Sequence, residues 1–147
     1  MKRSEALIPL SHEHHQALYV TKVIRDLKGE GNSAELFLGY WRDHGQLHAR
    51  IEEEVLLPGS GLSGPDEDEE VARMLSDHLG TRRMVRRLEQ GEAEPAEILA
   101  LAESFADHVR FEERELFPRI ERELSGEQLA ELGARIEAAE AAGRAAD

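Results

Sequence analysis

The sequence predicts an all-α fold: an up-down-up-down four-helix bundle followed by a short C-terminal fifth helix. Three observations carry this. Sustained period-two alternation and Asn-Gly or Asp-Gly hairpin turns are missing. Helix-starting and helix-stopping residues recur at intervals of one helix length. Four successive segments carry heptad-like apolar stripes, the seam on which bundles pack. The connections between these segments are short, which favours antiparallel neighbours.

Each element has its own signals. Ser11, after Pro9, is placed to cap a first helix that runs to Lys28 and stops at Gly29-Glu30-Gly31-Asn32. Its stripe is Leu7, Leu10, His14, Ala17, Thr21 and Ile24. Ser33 can cap a second helix, roughly 34 to 57, which stops at Pro58-Gly59; its stripe is Phe37, Trp41, His44, His48, Ile51 and Val55. The Gly-, Ser- and Pro-rich stretch from Pro58 to Pro65 reads as a loop. Asp66 with Glu69 has capping-box spacing and opens a third helix to about Gln90, with Val71, Met74, His78, Thr81, Val85 and Leu88 inward. Pro95 suits the first turn of a fourth helix, to about Phe117 or a little beyond, with Ile98, Leu101, Phe105, His108 and Glu112 inward. Ser125 with Gln128 repeats the capping-box spacing and opens an Ala- and Glu-rich fifth helix that frays after Gly143. The division expected is a bundle over 1–124 and a helical tail over 125–147.

Composition narrows function. The 147 residues carry a net charge of −13, with 40% apolar residues, enough for a core. This acidity argues against nucleic acid and anionic membrane surfaces as partners. The start has no signal-peptide pattern and no run is long enough to span a membrane, so a cytoplasmic location is expected. Cysteine is absent, which excludes disulfides, thiolate metal sites and a cysteine nucleophile. The Arg82-Arg83 and Arg86-Arg87 pairs read as surface charge facing acidic neighbours.

The seven histidines need a different explanation, because every bundle stripe contains one at a core-facing position. The chain also repeats: HARIEEEVLLP at 48–58 aligns with HVRFEERELFP at 108–118, identical at six of eleven positions. Residues four apart share a helix face, so His48 stands beside Glu52 and His108 beside Glu112. Burying such groups unpartnered is costly, and a bound cation removes that cost. Imidazole with carboxylate suits iron, manganese or zinc. The expected metal ligands are His14, His48, Glu52, His78, His108 and Glu112. Six side chains, two of them able to bridge, suit two ions better than one tetrahedral site. His14 is preferred over His15 because seven and ten residues after His15 stand Lys22 and Arg25. His44 is an additional ligand or a group orienting one. Glu53, Glu54, Glu113 and Glu115 read as solvated or outer flank. Trp41, Phe105, Phe111 and Leu47 are expected to form an apolar wall.

These motifs resemble the hemerythrin-like, HHE cation-binding family. The resemblance rests on the Glu13-His14-His15 opening, on the doubled HxxxEExxL-apolar-Pro pattern beginning at His48 and His108, and on Asp77-His78; it covers about residues 7 to 120. It implies a non-haem di-iron centre, two iron ions with an oxo or hydroxo bridge, and small ligands such as O2, NO or peroxide. It departs from oxygen carriers where their second helix-three histidine is replaced by Arg82, and where Glu112 follows His108 by four residues instead of an aspartate by five. The leading expectation is therefore a protein that binds O2 or a related ligand, or senses iron or redox state. A peroxide-handling oxidoreductase and a zinc- or manganese-binding bundle are the alternatives.

Overall fold

The computed structural model describes residues 2–146. Among them there is no strand, and five helices account for the fold. Helix α1 is Ile8–Asp26. Helix α2 runs without a break over 33–59, as Ser33–Tyr40, a π turn at Trp41–Gly45, Gln46–Ile51, a second π turn at Glu52–Leu56, and Leu57–Gly59. Helix α3 is Glu69–Glu89. Helix α4 runs over 95–123, as Pro95–Phe111, a π turn at Glu112–Leu116, and Phe117–Glu123. Helix α5 is Gly126–Ala146. In the bundle α1 packs on α2 and α4, and α3 on the same two.

The starts and stops follow local chemistry, with several corrections to the sequence reading. Pro9 sits in the first turn of α1, so the helix begins before Ser11, which lies inside it. Lys28 and the following Gly29 take positive φ and end the helix. Ser33 is the first residue of α2, its hydroxyl donating to the Glu30 carbonyl at 2.7 Å. Asp68, not Asp66, caps α3, accepting from the backbone N–H groups of Glu70 and Val71 at 3.1 Å each. Arg119 selects it from the acidic run by gripping both of its oxygens. The Ser125–Gln128 capping box forms as read, with reciprocal bonds of 2.9 and 3.1 Å.

Helix α4 continues well past Phe117, and the reason is the π turn. There the Phe117 N–H reaches the Glu112 carbonyl, a bond across five residues instead of four. The same wide turn precedes Pro58, where the Leu57 N–H bonds the Glu52 carbonyl. A proline strains an ordinary helix through the carbonyl four residues back. The wide turn immediately before each proline re-registers those carbonyls, and the helix passes through.

The predicted stripes of α1, α3 and α4 are all buried. On α2 the π turns shift the register. Gly45 replaces His44 at the inward position, leaving His44 exposed, and Leu56 replaces Val55. Gly45 also gives room: a Cβ there would sit 2.8 Å from the rings of both Tyr40 and Trp41. The apolar core falls into two clusters, one around Phe37, Trp41 and Phe105, the other around Leu10, Phe111 and Phe117. Between them lies one polar layer. Its members on α1 and α3 are His14, between Leu10 and Ala17, and His78, between Met74 and Thr81.

Helix α5 is helical through Ala146 and does not fray after Gly143. It packs along α2 with Leu132 and Ile136 fully covered. Its close approach uses Gly133, where a Cβ would lie 2.9 Å from the Ala6 Cα. No described helix is long and apolar enough to cross a membrane.

Candidate metal centre

The polar layer contains all six residues singled out from sequence. His14, His48, His78 and His108 are buried, and Glu52 and Glu112 are completely inaccessible. They form two groups that share both carboxylates: His14, His48, Glu52 and Glu112, then His78, His108, Glu52 and Glu112. Within each group the ligating atoms lie within 4.8 Å of one another. The two helix-two and helix-four pairs are equivalent, with His48 Nε2 to Glu52 Oε2 and His108 Nε2 to Glu112 Oε2 both at 3.1 Å. The α1 and α3 histidines reach across. His14 Nε2 is 2.9 Å from Glu112 Oε1, and His78 Nε2 is 3.1 Å from Glu52 Oε1. Each glutamate therefore presents one oxygen to each histidine pair.

Of these histidine–glutamate contacts only His14 Nε2 to Glu112 Oε1 has hydrogen-bond geometry. Both Glu52 oxygens and Glu112 Oε2 are buried without a properly directed donor. The Nε2 atoms of His14 and His48 face each other at 3.1 Å. Eight donor atoms, four imidazole nitrogens and four carboxylate oxygens, converge on a small volume and leave three of the oxygens unsatisfied, which is the arrangement that fits a cation.

The outer nitrogen of every histidine is held differently. His14 Nδ1 donates to Glu113 at 2.7 Å, His48 Nδ1 to Glu13 at 3.0 Å, His78 Nδ1 to Glu53 at 2.6 Å, and His108 Nδ1 to Asp77 at 2.9 Å. In each case the acid comes from a neighbouring helix. Helix α1 serves α2, α2 serves α3, α3 serves α4, and α4 serves α1, a closed ring. Fixing a proton on Nδ1 makes Nε2 the nitrogen that faces the centre and that would ligate a cation once its own proton leaves.

Sequence reasoning placed Glu53 and Glu113 on the flank but did not assign Glu13 or Asp77 a role. Their signal was adjacency: each immediately precedes a core histidine. His15 is exposed and stands apart from the centre, as does His44. Arg82, where oxygen carriers have their fifth histidine, forks onto Glu53 at 2.8 and 3.1 Å and thus steadies the acid behind His78. The expected apolar wall is also corrected. Phe105 lines the cavity, together with Tyr40, Gly45, Ala49 and Val109. Trp41 packs in the adjoining core, Phe111 lies under the Arg73 guanidinium at 4.1 Å, and Leu47 meets α5 at Gly143. Phe117 stacks on His14, ring centroids 5.4 Å apart.

The charges reinforce one another. Burial alone lowers the pKa of His48, but the Glu52 charge and the Glu13 and Glu52 hydrogen bonds outweigh it and raise it to about 9. His108 reaches about 9 against the same burial, through the Glu112 charge and the Asp77 bond. His78 rises to about 12 through Glu112, Glu52 and Glu53. Burial and the facing Glu112 push Glu52 up, yet His48 and His14 bring it down to about 2. Without a cation the layer thus holds protons on its imidazoles and negative charge on its two central carboxylates.

A buried His/Glu layer at the middle of an antiparallel four-helix bundle defines a cation-binding bundle protein. The family model described as Hemerythrin HHE cation binding domain matches residues 6–120, and the chain belongs to that family. Searches of curated proteins and of solved structures gave no match.

Proposed function

We propose that the layer holds two iron ions and that the protein binds O2, NO or peroxide there, or senses iron or redox state through their presence. One observation carries this reading: each of Glu52 and Glu112 offers one oxygen to either histidine pair. A single ion would leave one pair without a use. The nitrogen and oxygen donor set suits iron or manganese in such an environment.

In this reading the four histidines and the two glutamates would hold the ions. Glu13, Glu53, Asp77 and Glu113 keep each imidazole in the tautomer that can ligate. Tyr40, Phe105 and Val109 exclude bulk water and limit the site to small ligands. Iron supplies reversible electron transfer toward oxygen-containing ligands. We place the protein in the cytoplasm, where its small ligand arrives by diffusion.

The test is anaerobic loading of untagged protein with ferrous iron, followed by exposure to air or NO. Two equivalents of iron and a new near-UV or visible charge-transfer band are expected. A colourless protein that takes up iron no better than its His48→Ala, His108→Ala variant refutes the reading. Zinc or manganese in the natively purified protein would favour the regulatory or structural alternative. Oxygen evolved from peroxide, absent in metal-free protein, would favour the oxidoreductase alternative.

A further inference from the structure

We propose that Arg3, which precedes the family-matched segment, is a positioning residue for His14 in the His14–His48 half of the centre. The inference rests on the two-ion reading above and concerns what supports each position from outside.

In the His78–His108 half, the outer acids are steadied from within the matched segment. Arg82 forks onto Glu53, and Arg73 stands 3.6 Å from Asp77. In the other half, support comes from beyond it. Arg3 donates from Nη2 to the Glu113 carboxylate at 2.9 Å and to its backbone carbonyl at 2.7 Å. Its Nη1 is anchored on Glu121 at 2.5 Å, and its guanidinium lies 5.5 Å over the Phe117 ring that stacks on His14. Arg3 therefore grips both groups that touch His14 from outside.

The probe is cobalt(II), titrated without oxygen and followed by its visible absorption and by the paramagnetically shifted Nδ1–H signals of the four imidazoles. Wild type should take two equivalents. Arg3→Ala should keep one tight equivalent, weaken the other about tenfold, and displace the His14 signal while leaving those of His78 and His108 in place. Arg3→Lys retains a cation and a hydrogen-bond donor beside Glu113 and should restore the second equivalent to within threefold of wild type. Arg82→Ala should show the opposite preference, displacing the His78 signal. Equal weakening of both equivalents, no weakening at all, or the same spectral change from Ile136→Ala (which loosens the packing of α5 without removing the Arg3–Glu113 contact) overturns the proposal. A wild type that does not take two equivalents refutes the two-ion reading itself, and this proposal with it.

Discussion

Six residues meet at the centre, but four others decide how they meet. An imidazole buried between two acids has a choice of tautomer, and the wrong one turns an N–H toward the metal position. The outer ring of Glu13, Glu53, Asp77 and Glu113 removes that choice. Glu53 is the clearest case, held by Arg82 on one side and holding His78 on the other. Glu53→Ala should therefore lower cation affinity by about 10- to 100-fold while leaving all six ligands in place. Glu54→Ala, one residue on and exposed, should change it little; competition with a chelator of known affinity measures both.

At the scale of the helix, the repeated motif bends the register where it matters. The His-x-x-x-Glu pairs, the four stripes and the choice of His14 over His15 were legible because they depend on periodicity, which three-dimensional packing obeys. The π turns were not, because a single wide turn leaves no compositional mark and appears only as His44 facing solvent where Gly45 faces in. The outer acids were hidden for a related reason. Glu13 and Asp77 sit one residue from their helix's own ligand, about 100° around the axis, so each serves the next helix instead. Helix α5 was underestimated because its Ala- and Glu-rich composition conceals a narrow buried face. Leu132→Ala or Ile136→Ala should each destabilise the protein by about 2–5 kcal/mol in denaturant unfolding. A change near zero would mean that α5 contributes nothing to the folded unit.

For the whole molecule, the buried layer ties stability to pH in a way that a cation alters. His48 and His108 are raised to about 9 from an ordinary 6.5 when no metal is bound. Their contribution is fully present below pH 6.5 and is lost as pH rises through about 9. Glu52 is lowered from 4.5 to about 2, so its contribution is present above 4.5 and is lost as pH falls toward 2. Metal-free protein should therefore be most stable between about pH 4.5 and 6.5 and weaken toward pH 9. Ligating imidazoles are already neutral, so a bound cation should abolish the alkaline loss. Melting temperatures across this range, with chelator and with metal, give the comparison. Persistence of the same alkaline decline in the metal-loaded protein would show that the histidines are not ligands.

The crossing of Glu52 and Glu112 between histidine pairs has a mechanical consequence. Helices α1 and α2 form one hairpin and α3 and α4 another, and each hairpin sends its glutamate to the other's histidine: Glu112 to His14, Glu52 to His78. Ions held there would be rivets through both halves. They join residues as far apart as 14 and 112, a separation at which a covalent cross-link would strongly restrict the unfolded chain. In a protein without a single cysteine, a cation bound there would be an inorganic fastening between its halves, and withdrawing it would be the counterpart of reducing a disulfide.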